Sequence, residues 1–398
     1  MSGGPGLLRR FAAYVDDWRK GPARLRRLGR RMGEVEARLD GLAEALARLE
    51  ALERSLEGAV SRLEAAAPSF DPAGFVATEA RLSAVLTEHR RETRAVLAGL
   101  SLPDEALWRG RPDQPPAAAE DAVFPRSVVC RQRHFEQPWF ADWSRRMGEP
   151  LRYHRKLWEF VFIAQALAER GQLADRRRAL GFGVGREPLP ALFAALGCRV
   201  LATDLGGEEA AVAGWVQGSQ HAAGRESLRR PDICPDAVFG SRVDFQVCDM
   251  AAFPDGLSGF DFCWSACALE HLGSIEAGLD FIERSVETLR PGGWAVHTTE
   301  FNLGSDDETL DNAGTVLFRR RDLLALGERL ARRGHVLAPL DLAPGDGPID
   351  RFIDTPPYRA EPHLRLALAG WPTTSVGLIV QRSPRGRPLR GGRGSVLA

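Results

Sequence analysis

Three short segments place reactive or ligand-binding residue types where a strand gives way to a turn. The first, residues 178–188 (RALGFGVGREP), runs from an apolar strand over 179–184 through Gly181, Gly183 and Gly185 into a helix over 189–196. Glycines at such a turn let the backbone approach a ligand, and the helix start presents unpaired N–H groups. A nicotinamide dinucleotide would use a similar turn, so this segment alone does not choose the ligand. The second is Asp204, at the end of a strand over 199–203 and 21 residues beyond Gly183. A carboxylate there can accept both hydroxyls of an adenosine ribose, and its plainer role would be to cap the next helix. The third is Asp249, ending a strand over 244–247, where a carboxylate could accept from an adenine amino group.

Two further runs narrow the choice. Residues 260–274 read FDFCWSACALEHLGS and residues 289–297 read LRPGGWAVH. With the glycine turn, Asp204 and Asp249, they make residues 151–382 resemble the class I S-adenosylmethionine-dependent methyltransferases. In that resemblance 260–264 is the fourth strand, Leu269-Glu270-His271 follows as the catalytic turn, and Leu289–Gly293 is the turn into the fifth strand. It implies S-adenosyl-L-methionine as cofactor, held by Gly181, Phe182, Gly183, Gly185, Glu187, Asp204, Leu205, Asp249, Met250 and Ser265. The chain departs from the family at the glycine turn. With Gly183 and Gly185 as the first two motif glycines, Glu187 takes the third position and Gly181 the preceding acidic one. Starting at Gly181 instead puts Ala179 at the acidic position. Either way the carboxylate near the methionine amino group is missing, and Glu187 or a side chain from the preceding helix would replace it.

Methyl transfer is an in-line displacement, so the protein chiefly aligns the acceptor and excludes water, while a hydroxyl acceptor also needs a base. His271 is the first candidate base and Glu300 the second, with Glu270 and Asn302 nearby past the ends of strands four and five. Asp306, Asp307 and Glu308 read as solvated surface, so no metal is expected. Tyr153, His154, Arg155, Lys156, Trp158 and Glu159 lie on a helix over 153–167, where they would lid the cofactor or face the acceptor. A long excursion over 343–374 carries Asp350, Arg351, Asp354, Tyr358 and His363, candidates for the acceptor pocket or a clasp over the sheet edge.

These residues need a scaffold, and the alternation of strands with helices supplies one. Strands over 179–184, 199–203, 244–247, 260–264, 294–299, 335–342 and 375–381 predict a doubly wound, mostly parallel seven-stranded α/β sheet with helices on both faces. Ahead of it, Leu28, Met32, Val35, Leu39, Leu42, Leu46, Leu49, Leu56, Val60 and Leu63 keep a 4-3 rhythm broken once, at Glu53. That rhythm predicts a long coiled-coil stalk of roughly 50 Å. The expected organisation is a helical oligomerisation region over 1–100, a linker and lid segment over 101–150, the methyltransferase domain over 151–382 and a disordered basic tail over 383–398.

Composition excludes several classes. The formal net charge is +0, with 53 basic and 53 acidic side chains, so no overall field draws nucleic acid. Lys20 and Lys156 are the only lysines, so the positive charge is almost all arginine. The six cysteines lack zinc-site spacing and read as reduced thiols. No run approaches the ~20 apolar residues of a membrane span, and no signal-peptide core opens the chain. A cytoplasmic homo-oligomer, dimer or trimer, is therefore expected, peripheral to the inner membrane through partners at most. A stalk on such an enzyme is similar to the build of bacterial enzymes that modify surface glycans, which suggests O-methylation of a glycan or glycolipid. The alternatives are small-molecule or protein N- or O-methylation, and a non-catalytic coiled-coil scaffold with a degenerate fold.

Overall fold

The computed structural model describes residues 51, 54, 58, 81, 124–207, 221–254, 256–356 and 358–384. The chain divides into two units, Met1–Val85 and Leu86–Ala398, and the fold described below belongs to the second. The predicted coiled-coil seam lies outside the described residues apart from isolated positions, the linker and lid segment lies outside them up to residue 123, and the basic tail from residue 385.

Five strands form the parallel heart of the sheet: β2 (Arg178–Gly181), β3 (Arg199–Asp204), β4 (Val243–Val247), β5 (Phe260–Ala266) and β6 (Leu289–Asn302). They lie in the order β4-β3-β2-β5-β6, followed by the long β10 (Trp371–Gln381), which runs antiparallel to β6. β5 is buried at all seven residues, as a central strand covered on both faces must be. One face is covered by α3 (Arg155–Glu169) and the other by α6 (Ile275–Glu287) and α7 (Arg320–Arg332), each side with its own apolar core. The α3 ring of Phe162 lies where a side chain at residue 377 of β10 would project, so that position is glycine. Ser274 starts α6 by accepting from the Ala277 amide at 3.1 Å.

The sheet has ten strands where seven were expected. The difference is at the outer edge of β10, which three short strands share. β7 (Val336–Leu337), β1 (Ser127–Val129) and β9 (Leu366–Leu368) each pair with it antiparallel, while β8 (Leu340–Asp341) runs beside β1. The single strand read over 335–342 is thus two two-residue strands. β1 lies ahead of the expected domain start at 151, so the sheet takes in sequence from the segment read as linker and lid. Arg131 ties this edge down by pairing with Asp341 at 2.7 Å and donating to the Ala343 carbonyl. Between β1 and α3 lie the short helices α1 (Gln132–Phe135) and α2 (Pro138–Arg146). Helix α4 (Leu189–Ala195) follows β2, α5 (Asp236–Arg242) precedes β4, and α8 (Pro348–Arg351) lies in the long excursion before β10.

The LRPGG run opens β6 itself. Phe260 pairs with Leu289 and Phe262 with Trp294, so Arg290–Gly293 bulge from the ladder. Asp261, opposite the bulge, is buried and accepts from Arg177 and the Arg178 amide while pairing with Arg290. This carboxylate locks the entrances of β2, β5 and β6 together. No helix among the described residues is long and apolar enough to cross a membrane.

Candidate functional site

A cavity of about 630 Å³ opens past the C-terminal ends of β2, β3, β4 and β5. Open α/β sheets bind ligands there, where the strand order reverses between β2 and β5. One wall is the glycine turn. Gly183 and Gly185 hold φ values of +56° and +51°, a region that favours glycine. A Cβ on Gly183 would lie 3.0 Å from the Ala268 Cβ and 3.3 Å from the Met250 Sδ, so its absence keeps the cavity open.

Asp204 borders the cavity and also braces this turn. Its Oδ2 accepts from the amides of Gly185 at 3.1 Å and Ala222 at 3.0 Å, and its Oδ1 from Leu205 at 2.9 Å. Leu205, Asp249 and Met250 also line the cavity, with Asp249 exposed and turned back to accept from the Ala251 amide at 2.8 Å. Glu187 stands on the wall after the turn and is only 6% exposed. Its Oε1 accepts from the Trp264 indole at 2.5 Å. Burial pushes its carboxyl up to about 8, against the pull of the Trp264 hydrogen bond and the Lys156 ammonium. It is therefore mostly protonated at neutral pH.

Three residues expected to touch the cofactor do other work. A Cβ on Gly181 would meet the Trp264 ring at 2.5 Å, so this glycine makes room for packing. Phe182 is buried in the core edge-on to Phe281 at 5.2 Å. Ser265 faces the opposite side of β5, where its hydroxyl bonds His297 Nδ1 at 2.8 Å. His297 also meets the Ser285 hydroxyl at 3.0 Å, and burial lowers its pKa to about 3, keeping the ring neutral.

The far end of the cavity is built by the residues after β5 and by α3. Ala266, Cys267, Ala268, His271 and Leu272 form one side, Lys156 and Phe160 the other. Lys156 donates to the Ala266 carbonyl at 3.0 Å and pairs with Glu159 at 3.2 Å. Burial works against its charge, but Glu159 and neighbouring acids outweigh that and hold the ammonium above the usual lysine range. His271 Nδ1 bonds the Gly314 carbonyl at 2.8 Å. A carbonyl can only accept, so Nδ1 carries a proton, and Nε2 lies 4.0 Å from Glu270 Oε1. Glu270 is buried below it, accepting from the Thr299 hydroxyl at 3.0 Å, and burial raises its carboxyl above the usual range.

Glu300 does not line the cavity; it is buried on β6 and paired with Arg155 of α3. Trp158 donates to His134 at 2.8 Å and stacks on Phe162 in the core. His154 caps α3 by accepting from the Lys156 amide and stacks on His363 at 4.6 Å, and burial lowers its pKa to about 4. Tyr153 is half-buried with its phenol toward Glu136. His363 bonds Asp354 at 2.7 Å, Asp350 accepts from Gln132 and Gly347 amides, and the Tyr358 hydroxyl donates to the Ala367 carbonyl. The excursion over 343–374 thus clasps the sheet edge and the start of α3, and none of its described residues lines the cavity. Asn302 and Asp306 hold the loop after β6, accepting from the Gly304 and Arg321 amides.

The sequence reading missed His221, Phe160, Cys248 and Cys267 on the cavity wall. His221 bonds the Leu205 carbonyl at 2.9 Å. No local pattern marks it, because the chain returns to β3 only after the intervening segment. Cys267 did carry a signal, its place just past the fourth strand, where it takes a left-handed φ of +48°.

No protein-family model matches the chain, and no curated protein does. Solved structures with a similar arrangement include 1,6-didemethyltoxoflavin-N1-methyltransferase from Burkholderia thailandensis with bound S-adenosylhomocysteine. That match has 20% identity, covers 55% of this chain and 76% of that one, and has a TM-score of 0.33. Magnesium protoporphyrin IX methyltransferase from Synechocystis matches at 13% identity over 63% of this chain and 98% of its own, with a TM-score of 0.33. Phosphoethanolamine N-methyltransferase 2 from Haemonchus contortus, in complex with S-adenosyl-L-methionine, matches at 14% over 62% and 57%, with a TM-score of 0.36.

Proposed function

We propose that the chain is an S-adenosylmethionine-dependent methyltransferase. The observation that carries this reading is a single cavity joining the glycine turn and Asp204 to the C-terminal end of β5 and the residues after it. A dinucleotide fold would continue past β6 with further parallel strands, whereas here the antiparallel β10 takes that place. When bound, the cofactor supplies an electrophilic methyl group on a sulfonium. Asp204 would hold the ribose, Gly183 and Gly185 the backbone beside it, and Glu187, on giving up its proton, the ammonium of the methionine part. His271 would take the acceptor's proton at Nε2, a role suited to a hydroxyl acceptor. Lys156 and Phe160 would close that end against water.

A glycan or glycolipid hydroxyl is the acceptor this base would serve, with assembly as a dimer or trimer through the predicted stalk and a cytoplasmic site of action. Binding of S-adenosylhomocysteine, read by calorimetry, tests the cofactor assignment: no binding at millimolar ligand overturns it. Transfer of a labelled methyl group into fractionated cell extract then identifies the acceptor. Light scattering of the full chain tests the assembly, which a monomer would rule out.

A further inference from the structure

Next to the cavity, three donors from different elements converge. One donor atom each from Cys267, Glu270 and Glu300 lie within 4.8 Å of one another. Cys267 and Glu270 follow β5 and Glu300 stands on β6. Each carboxylate has one oxygen fixed by the protein: Thr299 donates to Glu270 Oε2 and Arg155 to Glu300 Oε1. Glu300 is 3% exposed, and among the described residues no hydrogen-bond donor reaches its Oε2. A bare, buried carboxylate oxygen is costly unless a cation covers it.

The surrounding charges are shared out: Arg155 and Lys156 pair with Glu159 and Glu300, and His271 Nε2 lies 4.0 Å from Glu270 Oε1. The thiol is also held in place by its backbone: the left-handed Cys267 amide donates to the Thr298 carbonyl at 3.0 Å and hydroxyl at 3.1 Å.

We propose that Cys267, Glu270 and Glu300 form a binding site for a divalent transition-metal ion of the zinc type. One sulfur and two carboxylate oxygens suit Zn²⁺, Co²⁺ or Fe²⁺, whereas Mg²⁺ and Ca²⁺ take all-oxygen shells. Donors around such an ion stand roughly 3.3–3.8 Å apart, so the side chains close by about an ångström on binding. Three protein ligands leave a fourth position open, and Cys267 borders the cavity that His271 also lines. An ion there would bind an acceptor oxygen and ease its deprotonation. Binding releases the Cys267 proton to solvent, and nothing is oxidised or reduced. The site stands on these residues alone and does not depend on the methyltransferase reading.

The test is a cobalt titration of the chelator-treated full chain. The expected result is one Co²⁺ per chain with a thiolate-to-cobalt charge-transfer band, displaced by Zn²⁺. Cys267→Ser should abolish the band, Glu300→Gln should weaken binding at least tenfold, and Cys198→Ser, a buried thiol elsewhere, should change neither. No stoichiometric uptake, or a band that survives Cys267→Ser, overturns the proposal. Alkylation of the unmutated protein gives a readout that needs no variant: Zn²⁺ should protect Cys267 from iodoacetamide, and unchanged labelling overturns the site.

Discussion

Glu187 should make the folded state lose stability as pH rises, opposite to the usual carboxylate. Its folded pKa lies near 8 because burial disfavours the charged form, whereas the unfolded chain titrates it in the ordinary range, ~4.3. Between those values the folded state holds a proton that the unfolded state has released, so stability falls with each increment of pH. At 1.36 kcal/mol per unit the cost is roughly 4 kcal/mol at pH 7 and roughly 5 kcal/mol above pH 8. It is fully absent below the unfolded pKa. Glu187→Gln keeps an oxygen for the Trp264 indole and removes the titration, though its new amide hydrogens ask for partners at about 1 kcal/mol. Thermal unfolding of both proteins at pH 5 and pH 8 isolates the effect as a difference of differences. At roughly 2–4 °C per kcal/mol for a domain of this size, the glutamine variant should gain on the order of 7–14 °C between the two pH values. An offset that is the same at both would refute the assignment of a buried, neutral Glu187.

The same group links cofactor binding to protons. If the ammonium of S-adenosylhomocysteine meets Glu187, binding at pH 7 should release a proton, seen as a dependence of calorimetric heat on buffer ionisation enthalpy; a buffer-independent heat separates the ammonium from Glu187. Gly183→Ala forces a Cβ at φ +56° against Ala268 and Met250, a strain of roughly 1–2 kcal/mol. It should weaken S-adenosylhomocysteine at least tenfold, and unchanged calorimetric affinity would count against the turn as the binding wall. His271→Ala should lower kcat by roughly 10²–10⁴ while leaving S-adenosylhomocysteine affinity intact, since the ring sits at the acceptor end. Equal loss of both would place it in cofactor binding.

What the sequence made legible was local. Gly183, Gly185 and Asp204 follow strands whose apolar runs are short and clear, and a strand followed by a glycine turn needs no distant partner to be read. Gly181 and Ser265 were misassigned because their roles depend on sheet register. Gly181 pairs beside Trp264, whose ring takes the space a side chain would need. Ser265 falls on the face toward His297 through the alternation of side chains along a strand. The two-residue strands β7 and β8 are too short to carry periodicity. β1 is a three-residue strand whose only mark is Ser127–Val129, and its place between β10 and β8 is set by β10, some 250 residues later. Cys267, Glu270 and Glu300 likewise meet only because β5 and β6 pair in this register.

Two departures noticed separately along the chain, a glycine where an acid is expected and a glutamate where a glycine is expected, become one arrangement in space. Trp264 links them. Its ring occupies the room above Gly181, so no side chain fits there, and its buried indole N–H needs an acceptor, which Glu187 supplies. The three residues should therefore be energetically coupled. Gly181→Asp alone overpacks against the ring, a cost of roughly 1–3 kcal/mol before the charge is counted. Trp264→Leu alone opens a cavity and removes the donor from Glu187, costing roughly 3–5 kcal/mol. Combined, the new carboxylate gains the vacated space, so the double variant should be at least 1 kcal/mol more stable than the sum of the single losses. Denaturant titration of the four proteins closes the cycle. Additive losses would mean that Gly181 and Trp264 are independent, and that the missing acid and the added glutamate have no common cause in the packing of β5.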